Sequence, residues 1–469
     1  MRHQPTVSIV IPAYMQAEFL RDAIDSALAQ DHPAVEVIVV DDASPDETAA
    51  IVKQYGSKIR YVRHDENRGL AASRNSGFRE SSGELVAFLD SDDYFHPEKM
   101  TAHAAFMEQH PEVGVSYNAR FDLDYSRPTI RQVWSVPPVC HLQDFVVGFP
   151  FAPSDMVVRR SWLEAGFLFD ESLVFFSEDL EITCRMALAG CRFGGINRAL
   201  NYRRYHTNRH LQVEPRHAAA CAVLERVFAD VRCPASVTAL RSRALAFHAL
   251  GWAIQAFVQR ETSLGVELLR RALTLEPILL EGDPTPLIQE LVEFCIADDQ
   301  VDHEASLTDI INQIPPDIRI LRQELDWAVA QGFLRRGARA ALWQRPDDAK
   351  RHFEVAEQRC ANADDKFIND MVYALLALGR ECGVSRADAA LTELMRHLRT
   401  LSDAGAARRL RGCYAMNAAL QCERDGRPGV LEHVWDAIAN QPAYLMNRGL
   451  LAVSIRSLMS VRPSTVRHA

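Results

Sequence analysis

The sequence predicts two architectures in series: an α/β domain on a mostly parallel sheet, then an all-α domain. Three observations carry this. Over roughly the first 100 residues, short apolar β-branched runs alternate with segments of helical period. Three of those runs end in residues suited to a ligand, where an open α/β sheet binds. From residue 209 onward strand-like runs vanish, and Ala, Leu, Arg and Glu dominate. The expected domains are therefore 1–208 and 209–469.

Val7-Ser8-Ile9-Val10-Ile11-Pro12 reads as a buried strand, closed by Pro12, Ala13 and Tyr14. Phe19, Leu20, Ala23, Ile24, Ala27 and Leu28 recur at helical spacing opposite Arg21, Asp22 and Asp25. Val35 to Val40 is a second strand, closed by Asp41 and Asp42. Ser44 as cap, Pro45 in the first position and the acids Asp46 and Glu47 predict a helix start. Ile59 to Val62 is a third strand, Leu70 to Ser81 a helix stopped by Gly83, and Leu85 to Leu89 a fourth strand closed by Asp90-Ser91-Asp92-Asp93. In the second half, Leu240 to Leu273 and Ala349 to Ala356 carry apolar residues at helical spacing. Stretches at residues 265–277 and 346–353, the latter with Ala349 and Phe353 four apart, are similar to tetratricopeptide repeats. No clean period of roughly 34 residues can be laid over the region. Gly282 to Pro286 and Ile314 to Pro316 are the expected loops.

Composition excludes several classes. The chain has 469 residues, 48% hydrophobic and 24% charged, with a net charge of -10. No long basic run favours nucleic acid as partner. None of the ten cysteines forms a C-x-x-C pair, so a cysteine zinc site has no support, and they read as reduced thiols filling core spaces. The apolar run before Pro12 is too short for a secretory signal, and no run approaches the roughly 18 residues of a membrane span. A cytoplasmic protein is expected. Near the end, Leu450, Leu451, Ile455, Leu458 and Met459 lie among Arg448, Arg456 and Arg462. That segment reads as a final packing helix or as a basic amphipathic helix in peripheral contact with the inner face of a membrane.

Asp90-Ser91-Asp92 emerges where an apolar strand ends, and alternate spacing puts two carboxylates on one side of an extended segment. Alone, such a triplet is an ordinary polar turn. Its surroundings change the reading. VSIVIPAY at Val7 to Tyr14, VIVVDDAS at Val37 to Ser44, NRGLAASRNSG at Asn67 to Gly77 and GELVAFLDSDD at Gly83 to Asp93 stand in that order. FDESLVFFSEDLEITCRMALAG, Phe169 to Gly190, and YRRYH, Tyr202 to His206, follow. Together these motifs resemble glycosyltransferase family 2, of the GT-A fold, over residues 1–208. The helical region resembles no family as a whole.

The resemblance implies an inverting transfer from a nucleotide-diphosphate sugar, a UDP-sugar first, to an acceptor hydroxyl. A hard divalent cation, Mn2+ or Mg2+, would offset the leaving diphosphate, and a carboxylate would serve as general base. Pro12, Ala13 and Tyr14 would line the nucleoside. Asp42 would accept from the base, with Asp41 beside it. Arg68 would approach the nucleotide, and Asn75 would brace its loop. Asp90 and Ser91 would lie at the donor, Asp92 would hold the cation with Asp90, and Asp93 would support them. His206 is a further candidate for metal, with Arg203 and Arg204 offsetting phosphate charge. Asp179 would be the base and Glu178 would orient the acceptor; an acidic pair is otherwise an ordinary helix start. The family usually places Asn after the first-strand tyrosine, where this chain has Met15.

Such a transferase would act in synthesis of a cell-surface glycan or glycoconjugate, with a glycan, lipid-linked or protein acceptor. Two other readings remain open at this point. A nucleotidyltransferase also uses paired acids and metal, but would show a glycine-rich loop after the first strand. A nucleotide-sugar-binding scaffold would use its helical half for docking. That half reads as a docking or homo-oligomer module, an acceptor surface or a structural cap.

Overall fold

The computed structural model describes residues 5–124, 130–148, 150–173, 177–205, 212–297, 301–318, 320–401, 403, 405–424, 428–447, 449–450 and 453. The α/β part opens with β1 (Val7–Ala13), α1 (Ala17–Leu28), β2 (Val35–Asp41), α2 (Thr48–Lys53), β3 (Arg60–Arg63), α3 (Leu70–Arg79) and β4 (Leu85–Phe88). It continues with β5 (Tyr94–Phe95), α4 (Lys99–Gln109), β6 (Val113–Asp124), β7 (Ile130–Trp134), β8 (Val139–Cys140), α5 (Leu142–Val147), β9 (Met156–Arg159), α6 (Arg160–Glu164), α7 (Glu178–Leu188) and β10 (Arg192–Tyr205).

The strands form one sheet in the order β3-β2-β1-β4-β9-β6-β10-β5, with β7 on β6 and β8 on β10. β1 pairs in parallel with both β2 and β4. The chain therefore builds outward from β1 to β3, then returns to the other side of β1. That reversal opens a crevice beyond the carboxyl ends of β1 and β4, the favoured ligand position in such sheets. Past β4 the sheet is mixed, because β9 runs antiparallel to both β4 and β6.

Alternation along β1 builds two core faces. Val7, Ile9 and Ile11 pack with Leu20, Ala23, Ile24 and Ala27 of α1. Leu28, expected on that apolar face, is exposed. On the other face α3 approaches β1 so closely that a Cβ on Gly77 would meet Val10 Cγ1 at 2.2 Å. The second predicted helix starts later than the sequence suggested. Ser44 is not its cap: its N–H donates to Asp41 Oδ1 at 2.8 Å and its hydroxyl to the Ala13 carbonyl at 3.4 Å. Pro45 lies in the turn, and Asp46 accepts from the Thr48 N–H at 3.1 Å where α2 begins.

Helices follow: α8 (Val213–Ala229), α9 (Ala235–Thr238), α10 (Arg241–Val258), α11 (Thr262–Leu275), α12 (Pro286–Cys295), α13 (His303–Gln313) and α14 (Ile320–Gln323). Then come α15 (Leu325–Leu342), α16 (Pro346–Gln358), α17 (Asp365–Cys382), α18 (Val384–Leu398), α19 (Ala406–Arg424) and α20 (Val430–Asn440). The last strand, β10, ends at Tyr205, and α8 begins at Val213. The division into compact units falls elsewhere. One unit is Met1–Leu287 with Thr308–Leu321, the other Ile288–Leu307 with Arg322–Ala469. In the first, α8 packs on α7 and α10 on α5 and α8. In the second, α15 packs with α16, α17 with α18 and α19 with α20. Their first helices begin at Leu325, Asp365 and Ala406, spacings of 40 and 41 residues. A 34-residue ruler slips by a helical turn or more at each step on that spacing, which is why it found no register. Ala349 and Phe353 are both buried in the core these helices share.

Among the described residues no helix is long and apolar enough to cross a membrane. The cysteines are all free thiols, but they do not all fill core as expected: Cys360 and Cys382 are exposed, and Cys221, Cys233 and Cys413 half-buried. Of the terminal segment, Leu450 and Val453 are buried beside α19 and α20. Arg448 and the segment 454–469 lie outside the described residues.

Candidate functional site

The carboxyl ends of β1, β2 and β4 bring the predicted residues to one sheet edge. Pro12 and Ala13 are buried at the end of β1, while Tyr14 is 43% exposed beyond them. Met15 adopts a left-handed conformation, φ 54°, with its N–H 3.3 Å from Ser44 Oγ. Asn tolerates that backbone; a straight apolar side chain gains nothing there.

Asp41 and Asp42 are largely occupied by the protein's own donors. Asp41 Oδ2 accepts from the Tyr61 hydroxyl at 2.7 Å and from Arg63 at 2.6 Å. Asp42 accepts the Arg68 and Gly69 N–H groups, both at 2.8 Å, and lies 2.7 Å from His64 Nδ1. A carboxylate offers about four acceptor positions, so Asp42 keeps about one for a ligand. Its evident local work is to hold the 68–69 turn, where Gly69 takes φ 88° and leads into α3.

Arg74 on α3 is the centre of the arrangement, and sequence reasoning passed over it. Its side chain is 1% exposed and bridges two carboxylates, with Nη2 donating to Asp90 Oδ1 at 2.7 Å and Nη1 to Glu178 Oε1 at 2.6 Å. The Phe169 ring lies 5.2 Å from its guanidinium. A signal was present in the quoted motif: Arg74 falls three residues after Ala71 and four before Phe78, on the buried side of a helix. Arg74 thus joins the loop after β4 to the start of α7.

Asp179 stands next to Glu178 in the first turn of α7, after Ser177 in a left-handed conformation, φ 74°. Burial pushes its carboxyl up to about 7, the Glu178 and Asp90 charges add to this, and Arg74 opposes it. Asp93 is held well above the usual carboxylate range, by burial first and then by Asp92 and Asp90. Asp93 Oδ1 also accepts the Arg204 N–H at 3.1 Å, and Ser91 is buried beside it.

The loop after Phe169 is strapped to α3. Asn75 donates to the Phe169 carbonyl and to Glu171 Oε1, each at 2.9 Å, and accepts the Phe169 N–H at 3.0 Å. Arg68, expected at the nucleotide, pairs here with Glu171 at 3.2 Å. Arg203 makes a two-pronged pair with Asp122, at 3.1 and 2.9 Å. Arg204 pairs with Asp22 and donates to the Asp92 carbonyl at 2.8 Å. His206 lies outside the described residues.

Among the described residues, no three His, Cys, Asp or Glu side chains are arranged to hold one metal ion. The donor set nonetheless fits a hard cation of the Mg2+ or Mn2+ kind. Such ions are held by one or two carboxylates, with water and substrate phosphates completing the shell. Asp92 and the second oxygen of Asp90 are of that type.

Residues 8–167 match the family model described as Glycosyl transferase family 2. TuaG of Bacillus subtilis, named a putative teichuronic acid biosynthesis glycosyltransferase, is 39% identical over 107 residues, 22% of this chain and 42% of that protein. ExoO of Rhizobium meliloti, named a succinoglycan biosynthesis protein, is 42% identical over 97 residues, 20% of this chain and 28% of that protein. An uncharacterized glycosyltransferase of Rickettsia prowazekii is 44% identical over 98 residues, 21% and 30%. The chain thus spans less than half the length of these curated relatives. Two solved structures are similar at low identity. S. aureus TarS 1–349 in complex with UDP-GlcNAc has a TM-score of 0.43 and 20% identity over 75% of this chain and 90% of that one. The mannosyltransferase PcManGT from Pyrobaculum calidifontis, in complex with GDP-Man and Mn2+, has a TM-score of 0.43 and 18% identity over 70% and 88%. Over residues 8–167, about a third of its length, the chain is thus similar to glycosyl transferase family 2.

Proposed function

We propose that this protein transfers a sugar from a nucleoside-diphosphate donor, a UDP-sugar first among them, to an acceptor hydroxyl with inversion at the anomeric carbon. One observation carries the proposal. Asp179, the carboxyl whose proton affinity the fold raises to about 7, lies beside a cluster in which Arg74 ties Asp90 to Glu178. A base poised near working pH is what attack by a weakly acidic hydroxyl needs.

In this reading the nucleoside lies against Pro12, Ala13 and Tyr14, with Asp41 and Asp42 shaping the wall of its site and Arg68 at its edge. Asp92, with Asp90 and Ser91 beside it, faces the diphosphate and would hold a divalent cation. That cation supplies Lewis-acid stabilisation of the leaving phosphate oxygens when bound. Asp179 takes the acceptor proton, the acceptor oxygen bonds to the anomeric carbon, and the bond to the diphosphate breaks with its electron pair leaving on the diphosphate. Glu178, fixed by Arg74, orients the acceptor. His206 is proposed as a further ligand on the diphosphate side. The names of the relatives TuaG and ExoO favour a polysaccharide as the product class. The helical region is proposed as a docking or acceptor surface.

A thermal-shift screen of UDP-, GDP- and dTDP-sugars, with and without Mn2+, tests the donor, since a bound ligand raises the melting temperature by mass action. Turnover releasing nucleoside diphosphate is expected. Release of pyrophosphate, or unchanged turnover in Asp179→Asn, overturns the assignment.

A further inference from the structure

We propose that Lys99 is a positioning residue for the Asp90–Asp93 loop, acting through Ser154 from beneath the site and never touching substrate. This rests on the reading of that loop as the diphosphate and cation site.

Lys99 is the first residue of α4 and is 0% exposed. Lysine is almost never fully buried without a partner to satisfy its nitrogen. Here Nζ donates to the Ser154 carbonyl and to Asn118 Oδ1, both at 2.6 Å, and sits 4.4 Å from the centre of the Phe95 ring. No carboxylate is in bonding contact with it in these pairings; Asp155 and Asp93 act on it through space. This lysine grips a main-chain carbonyl instead.

That carbonyl belongs to a residue with a second connection. Ser154 Oγ accepts the Asp90 N–H at 3.1 Å, and the same hydroxyl bonds the Asp93 carboxyl. One serine is therefore held from below at its carbonyl and holds both ends of the acidic loop at its hydroxyl. The loop is further closed on itself by the Asp93 N–H on the Asp90 carbonyl at 3.0 Å. Below Lys99 the anchor is braced by further hydrogen bonds. Asn118 on β6 accepts from His103 Nε2 at 2.8 Å and donates to Asn201 on β10 at 2.6 Å. His103 Nδ1 lies 2.7 Å from Ser116 Oγ. Because Asn118 Oδ1 can only accept, His103 carries its proton on Nε2, while the Asn201 amide nitrogen is buried without a hydrogen-bond partner. Three elements, α4, β6 and β10, thus fix the height of Ser154 relative to the sheet. A carboxylate displaced by an ångström loses much of its grip on a small cation that demands near-ideal geometry.

Full-length Lys99→Met, Ser154→Ala and the double variant test this by titration calorimetry. The probe is Mn2+ with whichever of UDP, GDP and dTDP binds the wild type, and a urea denaturation curve is recorded beside each. Lys99→Met and Ser154→Ala are each expected to weaken Mn2+·nucleotide binding about tenfold, and the double variant is expected to be no worse than the weaker single, because both cut one path. Lys99→Arg, which keeps a donor, should recover part of the loss. A lysine that served only the core would lower the denaturation midpoint and leave the affinity of the folded protein alone; that result overturns the proposal. So do additive losses in the double variant. If Lys99→Met does not fold, wild-type affinity in Ser154→Ala has the same consequence. A wild type that binds none of the three nucleotides overturns the underlying site reading, and this proposal with it.

Discussion

Asp179 shows how one residue carries opposite demands. Burial and the neighbouring Glu178 resist its ionisation, so the folded state holds its proton up to about pH 7 while the unfolded chain releases it near 3.8. Below the lower value both states are protonated and the fold loses nothing. Between the two, rising pH favours the unfolded chain, and above about 7 the destabilisation is complete. Asp179→Asn is therefore expected to raise the melting temperature at pH 8 but not at pH 4. The same substitution should lower turnover by about a hundred- to ten-thousandfold. In the wild type, kcat/KM should climb with pH through about 7, and the variant's residual activity should lose that limb. Met15 offers a test without chemistry. It sits at φ 54°, a conformation Asn adopts at lower cost than Met, so Met15→Asn should add about 0.5–1 kcal/mol in urea denaturation.

At the scale of elements, α3 matters more than its length suggests. Its N-terminal turn is held by Asp42, its middle carries Arg74 to Asp90 and Glu178, and Asn75 straps the Phe169 loop to it. All of this depends on a close seat against β1. Gly77 makes that seat, since any Cβ there would collide with Val10. Gly77→Ala is expected to cost about 1–3 kcal/mol through overpacking, and to lower turnover too by shifting Arg74. A Gly77→Ala protein with wild-type stability and turnover would show that α3 can move without consequence. The glycine-containing motif was legible in the sequence; the reason for the glycine was not, because a helix-to-strand approach distance has no signature in one chain's spacing.

For the whole chain, the extent of the sheet-bearing unit is the testable matter. It does not stop where strands stop. α8 buries Val213, Val223, Leu224 and Val227, packs on α7, and its Arg226 pairs with Asp170 at 3.4 Å. A chain ending at residue 208 would bare that face of α7. It is expected to aggregate or melt well below the full chain, whereas one ending at Leu321 should keep nucleotide binding; size-exclusion chromatography and thermal shift distinguish them. In the other unit, consecutive helix pairs recur at 40 and 41 residues, so each pair buries its apolar face against the next.

The sequence by itself determined the strand–helix alternation, the acids at the strand ends and the family motifs, because these are local: period, strand termini and residue order survive without any long-range contact. Tertiary structure alone decided which carboxylates share Arg74, why Asp179 holds its proton, and that Lys99 lies under the acidic loop. Those facts join residues 74 with 178, and 99 with 154, whose separations of 104 and 55 positions leave no trace in local pattern. They depend on burial and on the direction of side chains across a closed sheet, which exist only once the chain has folded.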